Sequence, residues 1–140
     1  EKFIDYYITC SEIRILIENI YKKNLKKPII LPKKRIKKIL HFKKNYKILD
    51  YGIKIQGDKF YSHNNYAELP NNQSFGYAIA ASIQGKAKEI VIAGFDGYEK
   101  NNLMQKQMEI GIKLIKKNYP KISIKSLTKN SYNVKQISKK

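Results

Sequence analysis

Three observations predict an α/β fold in which a mostly parallel sheet lies between layers of helix. Short β-branched or aromatic runs alternate along the chain with segments whose apolar residues recur at helical spacing. One such run, Ile90-Val91-Ile92-Ala93, carries no polar residue, as a strand covered on both faces would. It breaks abruptly into Gly94-Phe95-Asp96-Gly97-Tyr98, which places a carboxylate and a phenol on a glycine-jointed loop. In open α/β sheets the loops at the carboxyl ends of strands are where ligands bind.

The elements follow in order. Phe3 to Thr9 is aromatic and β-branched and predicts a strand. Ser11 offers an N-cap to a helix carrying Ile13, Leu16, Ile17 and Ile20 as far as Asn24. Pro28 to Leu31 is an apolar strand closed by Pro32, and Arg35 to Lys44 sets Ile36, Ile39 and Leu40 on one face of a basic helix or turn. Tyr46 to Ile55 alternates loosely, interrupted by Gly52, and the polar stretch Asp58 to Asn72 predicts a surface loop over the sheet edge. Asn72 or Gln73 starts a buried helix over Ser74 to Gln84, which Gly85 ends. Its Gly76, Ala80 and Ala81 side is thin enough to approach a sheet closely. After the strand at Ile90, Asn101 or Asn102 caps a helix with an apolar stripe of Met104, Met108, Gly111, Ile112 and Ile115. Pro120 stops it. Ile122 to Leu127 alternates as an edge strand, and the tail from Ser131 adds a further short strand. The β-α-β-(α)-β-loop-α-β-α-β order predicts a three-layer, Rossmann-like domain over residues 1–140, with helices on both faces of the sheet.

At 140 residues and 42% hydrophobic content the chain suits one domain with a real core. No apolar run approaches the roughly 18 residues of a membrane span. The chain opens without Met, directly on a strand-like run, which predicts a piece of a longer protein. A single cysteine, Cys10, excludes an internal disulfide and predicts a cytoplasmic setting, with the thiol acting as core filler. The net charge of +18 is unevenly laid out: Tyr21 to Leu49 holds twelve Lys or Arg and no acid. Only Arg14 and Arg35 are arginines, whereas base readers and bidentate phosphate clamps favour Arg. The lysine excess therefore predicts a solvated surface before it predicts a nucleic-acid interface.

Several chemistries are absent. The chain has no phosphate loop of the Gly-x-x-x-x-Gly-Lys type, no Gly-x-Gly-x-x-Gly and no Gly-x-Ser-x-Gly elbow. One Cys with His41 and His63 cannot form the common zinc sets, and both histidines read as surface residues. What remains is a polar cluster at predicted strand ends: Thr9, Ser11, Asn72 to Ser74, Gly94, Asp96, Tyr98, Thr128 and Tyr132. Ser74 at a helix start suits a phosphate or carboxylate, Tyr98 can donate to a phosphate, and Asp96 can accept from a sugar or base hydroxyl. Asp96 can equally serve to fix the turn between its two glycines.

With those residues in view, two resemblances stand out. Ser74 to Ala81 followed by Ala87-Lys88-Glu89-Ile90-Val91-Ile92-Ala93-Gly94-Phe95-Asp96-Gly97-Tyr98 resembles a domain carried behind an HMG-CoA-lyase-like aldolase barrel. Such proteins are described as 4-hydroxy-2-oxovalerate aldolase-like and accompany bacterial surface-polysaccharide synthesis. Ser126-Leu127-Thr128-Lys129-Asn130-Ser131-Tyr132 resembles their closing Ser-Leu-Thr-Pro-Thr-x-Tyr segment, with Lys129 and Asn130 departing from it. More distantly, the Ser-bearing helix start and Gly-x-Asp-x-Tyr are similar to bacterial sialyltransferases that use a CMP-activated sugar. That similarity implies nucleotide contacts at Ser74 and Tyr98. It supplies no downstream histidine, since Glu99 to Asn118 contains none.

These resemblances imply a non-catalytic accessory domain, without a cofactor of its own, attached behind an aldolase barrel that carries the carbon–carbon lyase chemistry and any divalent metal. Its ligand would be a nucleotide or anionic sugar-like molecule held by Ser74, Gly94, Asp96, Tyr98, Thr128 and Tyr132. Three other readings stay open at this point: a nucleotide-sugar-dependent glycosyltransferase-like domain, a basic nucleic-acid-binding domain and an oligomerisation domain.

Overall fold

A computed structural model describes residues 3–17, 25–36 and 47–137. The first predicted helix beyond Ile17, and most of the basic segment from Arg35 to Lys44, lie outside the described residues. Strands β1 (Tyr7–Ile8), β2 (Ile29–Leu31) and β3 (Ile48–Asp50) pair in that order, all parallel. The predicted first strand is thus shorter than Phe3 to Thr9, and Phe3, Ile4 and Tyr6 stay exposed before it. Helix α1 (Glu12–Ile17) starts where Ser11 Oγ accepts from the Arg14 N–H at 3.3 Å, an N-cap that satisfies one free amide. The short α2 (Lys33–Ile36) has its Lys33 N–H bonded to Asp50 Oδ1 at 2.9 Å.

Strands β4 (Gly52–Ile55), β5 (Tyr61–Ser62) and β6 (Tyr66–Leu69) form a second sheet in the order β4-β6-β5. The β4/β6 pair is parallel and the β5/β6 pair antiparallel. The expected surface loop over Asp58 to Asn72 is therefore corrected: it contains two strands, and Ala67 and Leu69 of the central strand are fully buried. Glu68 gives this run its polar look. In the fold it faces Lys54 across the ladder, with Nζ 3.3 Å from its carboxylate.

Strands β7 (Glu89–Ile92), β8 (Ser123–Ser126) and β9 (Lys135–Gln136) form a third, all-parallel sheet in that order. The Ile122 to Leu127 strand, expected at an edge, is central here because the tail strand β9 closes its open side. Five of the six described pairings are parallel, so the chain is a mixed α/β protein with three small, mostly parallel sheets.

Helix α3 (Ser74–Gln84) buries Phe75, Tyr77, Ile79 and Ala80. Its thin side works as expected: a Cβ on Gly76 would lie 3.6 Å from the Phe60 ring. Its end is a Schellman motif, with Ala87 N–H bonded to Ser82 O and Lys86 N–H to Ile83 O. The left-handed residue is Lys86 (φ 63°) and not Gly85, whose φ is −70°. Helix α4 (Leu103–Asn118) is capped by Asn102, whose side chain accepts from Met104 N–H at 2.8 Å. It buries Gln105, Met108, Ile112 and Ile115, whereas Met104, expected in the stripe, is exposed.

Two hydrophobic clusters result. The larger joins α3, α4 and the second and third sheets through Phe60, Leu69, Tyr77, Ile79, Met108, Ile112 and Ile115, and it includes Cys10. Its polar atoms are paired: Tyr77 OH donates to Tyr51 O, Ser62 Oγ donates to Ala80 O at 2.7 Å, and Ser62 N–H donates to Tyr119 OH at 2.7 Å. The smaller consists of Ile15, Ile29, Leu31 and Ile36. No helix among the described residues is long and apolar enough to cross a membrane.

Candidate functional site

The first turns of α1 and α3, the loop after β7 and the loop after β8 open onto one cleft of about 510 Å³. Ser11 and Arg14 come from the start of α1, Asn72, Gln73, Ser74 and Phe75 from the start of α3. Gly94 to Tyr98 follow β7, Tyr132 follows β8, and Met104 and Met108 come from α4. The convergence has a simple cause. Each of the segments leaves the carboxyl end of a strand: β1 before α1, β6 before α3, and β7 and β8 before their loops.

Local geometry fixes each wall. Thr9 Oγ1 accepts from Ser11 N–H at 3.2 Å and lies 3.5 Å from Ser74 Oγ, which ties the end of β1 to the start of α3. Arg35 forms an ion pair with Glu12 and donates to Asn72 Oδ1 at 3.3 Å, joining the same two elements from outside. Gln73, the N-cap residue of α3, makes no side-chain cap bond; its amide turns to α4 and donates to Met104 O and Gln107 Oε1, both at 3.4 Å. The first-turn amides of α3 carry the positive end of the helix dipole beside Ser74 and Phe75, on the cleft wall.

The loop after β7 turns on two glycines with positive φ. Gly94 (φ 73°) has open space where a Cβ would sit, so its requirement is conformational. Gly97 (φ 114°) has both requirements, since a Cβ there would lie 1.7 Å from Ser131 Oγ. Phe95 packs on Phe75 with ring centroids 4.6 Å apart, giving the cleft an aromatic floor between its polar walls. Tyr98 is exposed, whereas Tyr132 is buried and burial pushes its phenol up, with Tyr98 and Glu109 nearby adding to the shift.

Five of the six sequence-predicted site residues, Ser74, Gly94, Asp96, Tyr98 and Tyr132, line this cleft. Thr128 does not. Its Oγ1 accepts from Gly94 N–H at 3.2 Å, so it holds the loop from behind. His63 lies elsewhere, stacked on Tyr66 at 4.3 Å and 3.8 Å from the Glu68 carboxylate, and His41 is outside the described residues. Sequence reasoning missed Arg14, which brings a guanidinium to the cleft, and the aromatic pair of Phe75 and Phe95. It also missed Gln105, a buried amide within the α4 stripe. The signal for Gln105 was its spacing, three, seven and ten residues before Met108, Ile112 and Ile115.

Chemically, the cleft offers one guanidinium, one carboxylate, hydroxyls from Ser11, Ser74, Tyr98 and Tyr132, and an aromatic surface. Such a set is chemically able to bind a polar ligand through charge and hydrogen bonds. Among the described residues no group of three His, Cys, Asp or Glu side chains is placed to hold a metal ion. Compared with known proteins, the chain matches no family model, no curated protein and no solved structure.

Proposed function

We propose that this chain is a Rossmann-like accessory domain that binds a nucleotide or anionic sugar-like ligand in the strand-end cleft. The observation that carries the reading is the convergence of Ser74, Gly94, Asp96, Tyr98 and Tyr132, distant in sequence, on one cleft wall with Arg14 among them. Arg14 and the dipole of α3 favour an anionic group near Ser11 and Ser74. Asp96 accepts from ligand hydroxyls, and the Phe75–Phe95 surface takes a ring. The five parallel pairings support a three-layer reading in which the three small sheets continue one another.

The resemblance of Ser74 to Tyr98 to domains behind aldolase barrels extends the proposal. The domain positions or regulates a covalently attached, cytoplasmic carbon–carbon lyase of sugar-acid or surface-polysaccharide metabolism, and carbon–carbon chemistry resides in the barrel. The test is calorimetric titration of the full chain with CMP and with N-acetylneuraminate. Binding of either, weakened about tenfold or more by Asp96→Ala and by Arg14→Ala, is expected from losing a charge-assisted hydrogen bond. Absence of binding to both at millimolar concentration, or affinities unmoved by both substitutions, overturns the reading.

A further inference from the structure

We propose that Gln105 is the positioning residue of the cleft, a buried amide that latches the loops after β7 and β8 onto one turn of α4. Its consequence for a ligand rests on the binding reading above; its effect on the loops does not. Gln105 is 3% exposed and sits in the helix stripe otherwise filled by Met108, Ile112 and Ile115. A leucine or methionine would fill that place without desolvating an amide, and a buried amide is costly unless all its groups are paired. Here the carbonyl is paired away from the helix and the amide nitrogen within it. Oε1 accepts from Tyr98 N–H at 3.0 Å and from Ser131 Oγ at 3.2 Å, using both carbonyl lone pairs. Nε2 donates to Glu109 Oε1 at 2.7 Å, one helical turn on, which fixes which way the amide points.

Three successive loop residues are thereby tied to the same neighbour. Ser131 N–H donates to Asp96 O at 2.9 Å, Ser131 Oγ occupies the place a Gly97 side chain would take, and Tyr98 N–H shares its acceptor with Ser131. Asp96 and Tyr98 lie on the cleft wall, and Ser131 directly precedes Tyr132, which lies there too. Gln105 itself is not on that wall. It acts through the loops, setting the spacing between the carboxylate and the two phenols.

The test measures amide hydrogen exchange by NMR on the full chain and, separately, the affinity for CMP. Gln105→Met keeps an unbranched side chain of similar length but removes the acceptor. The reciprocal pair Q105E/E109Q returns an acceptor to Tyr98 N–H and Ser131 O–H and puts a donor on the next turn. Q105M is expected to speed exchange at Tyr98 roughly five- to tenfold relative to core amides of α3, as loss of one hydrogen bond does. The reciprocal pair restores it, and CMP affinity falls and recovers in parallel. Should Q105M not fold, Ser131→Ala removes one donor at the surface, and a faster Tyr98 exchange is expected there as well. Exchange at Tyr98 unchanged, or raised equally throughout the chain, overturns the latch; so does failure of the reciprocal pair to rescue. If the wild-type chain does not bind CMP while the exchange pattern follows the latch, the nucleotide reading falls and the latch stands. If CMP binds and Q105M leaves its affinity unchanged, the positioning role toward the ligand is overturned.

Discussion

The two hydrophobic clusters are built from the same residue types and do different work. The larger is closed by long elements, α3 and α4, whose buried faces meet sheet residues and one another, and its polar atoms are paired side chain to backbone. The smaller has four buried members among the described residues, where helix α1 leaves Ile13, Leu16 and Ile17 exposed. The region of the smaller cluster supplies Ser11 and Arg14 to the cleft, while that of the larger supplies Asp96, Tyr98 and Tyr132. The cleft is thus assembled between walls that rest on two separate cores, and each wall can be perturbed through its own core.

Truncating matched isoleucines gives the largest expected effect on this contrast. Ile115→Ala should cost about 3–5 kcal/mol in denaturant unfolding, because the surrounding cluster cannot collapse around the cavity. Ile15→Ala should cost about 2–3 kcal/mol, since α1 has exposed apolar neighbours at Ile13, Leu16 and Ile17 that can settle toward the space. Equal losses would remove the distinction between the clusters. Next in size is Gly97→Ala, where the left-handed backbone and the Ser131 contact together should cost about 2–3 kcal/mol or displace the loop. The companion change Ser131→Gly relieves the contact and leaves the backbone penalty, which thermal melts of the two variants separate.

Cys10 sharpens the comparison in another way, because it ends the first strand segment yet packs in the larger cluster. Burial pushes its thiol from 9.0 to about 11, against the opposing pull of a Ser74 hydrogen bond and the Arg35 charge. The unfolded chain therefore loses this proton first as pH rises. Stability from the buried thiol is complete below pH 9 and is lost toward pH 11, by roughly 2–3 kcal/mol. The difference between wild type and Cys10→Ala in pH-dependent urea unfolding should narrow across that window; a constant difference would place the thiol in water. The smallest effect has the opposite sign. A Cβ on Gly111, inside α4, meets nothing within 4 Å, so Gly111→Ala should stabilise by about 0.5–1 kcal/mol, read as a raised melting temperature.

The parts of the fold legible in sequence are those where one physical demand dominates. Ile90 to Ile92 shows a strand, α3 shows a thin apolar face, and Asn102 shows a cap; the all-apolar run also predicts cover on both faces, and there the structure differs, burying Ile92 and leaving Val91 exposed. Where two demands share a residue, the pattern blurs. Glu68 is a buried strand residue whose carboxylate meets Lys54 across the ladder, and its polar look disguised β6 as loop. Lys86 occupies the left-handed position one residue past the glycine that advertises it. The cleft residues at strand ends were legible because polar residues follow apolar strand runs abruptly, as Asp96 and Tyr98 follow Ile90 to Ala93. Arg14 was not, since on a short helix with one turn buried an arginine looks like any solvated charge.

Residue 51 joins the two regions in a way that has a kinetic meaning. Tyr51 N–H donates to Leu31 O in the first sheet, its carbonyl accepts from Tyr77 OH on α3, and the next amide, Gly52 N–H, donates to Asn65 O beside the second sheet. The two peptide units that flank residue 51 thus close one sheet, open the next and carry the phenol of a fully buried tyrosine. An opening of the first sheet that passed Asp50 would have to break these bonds together, which sets residue 51 as the expected border between fast and slow amide exchange.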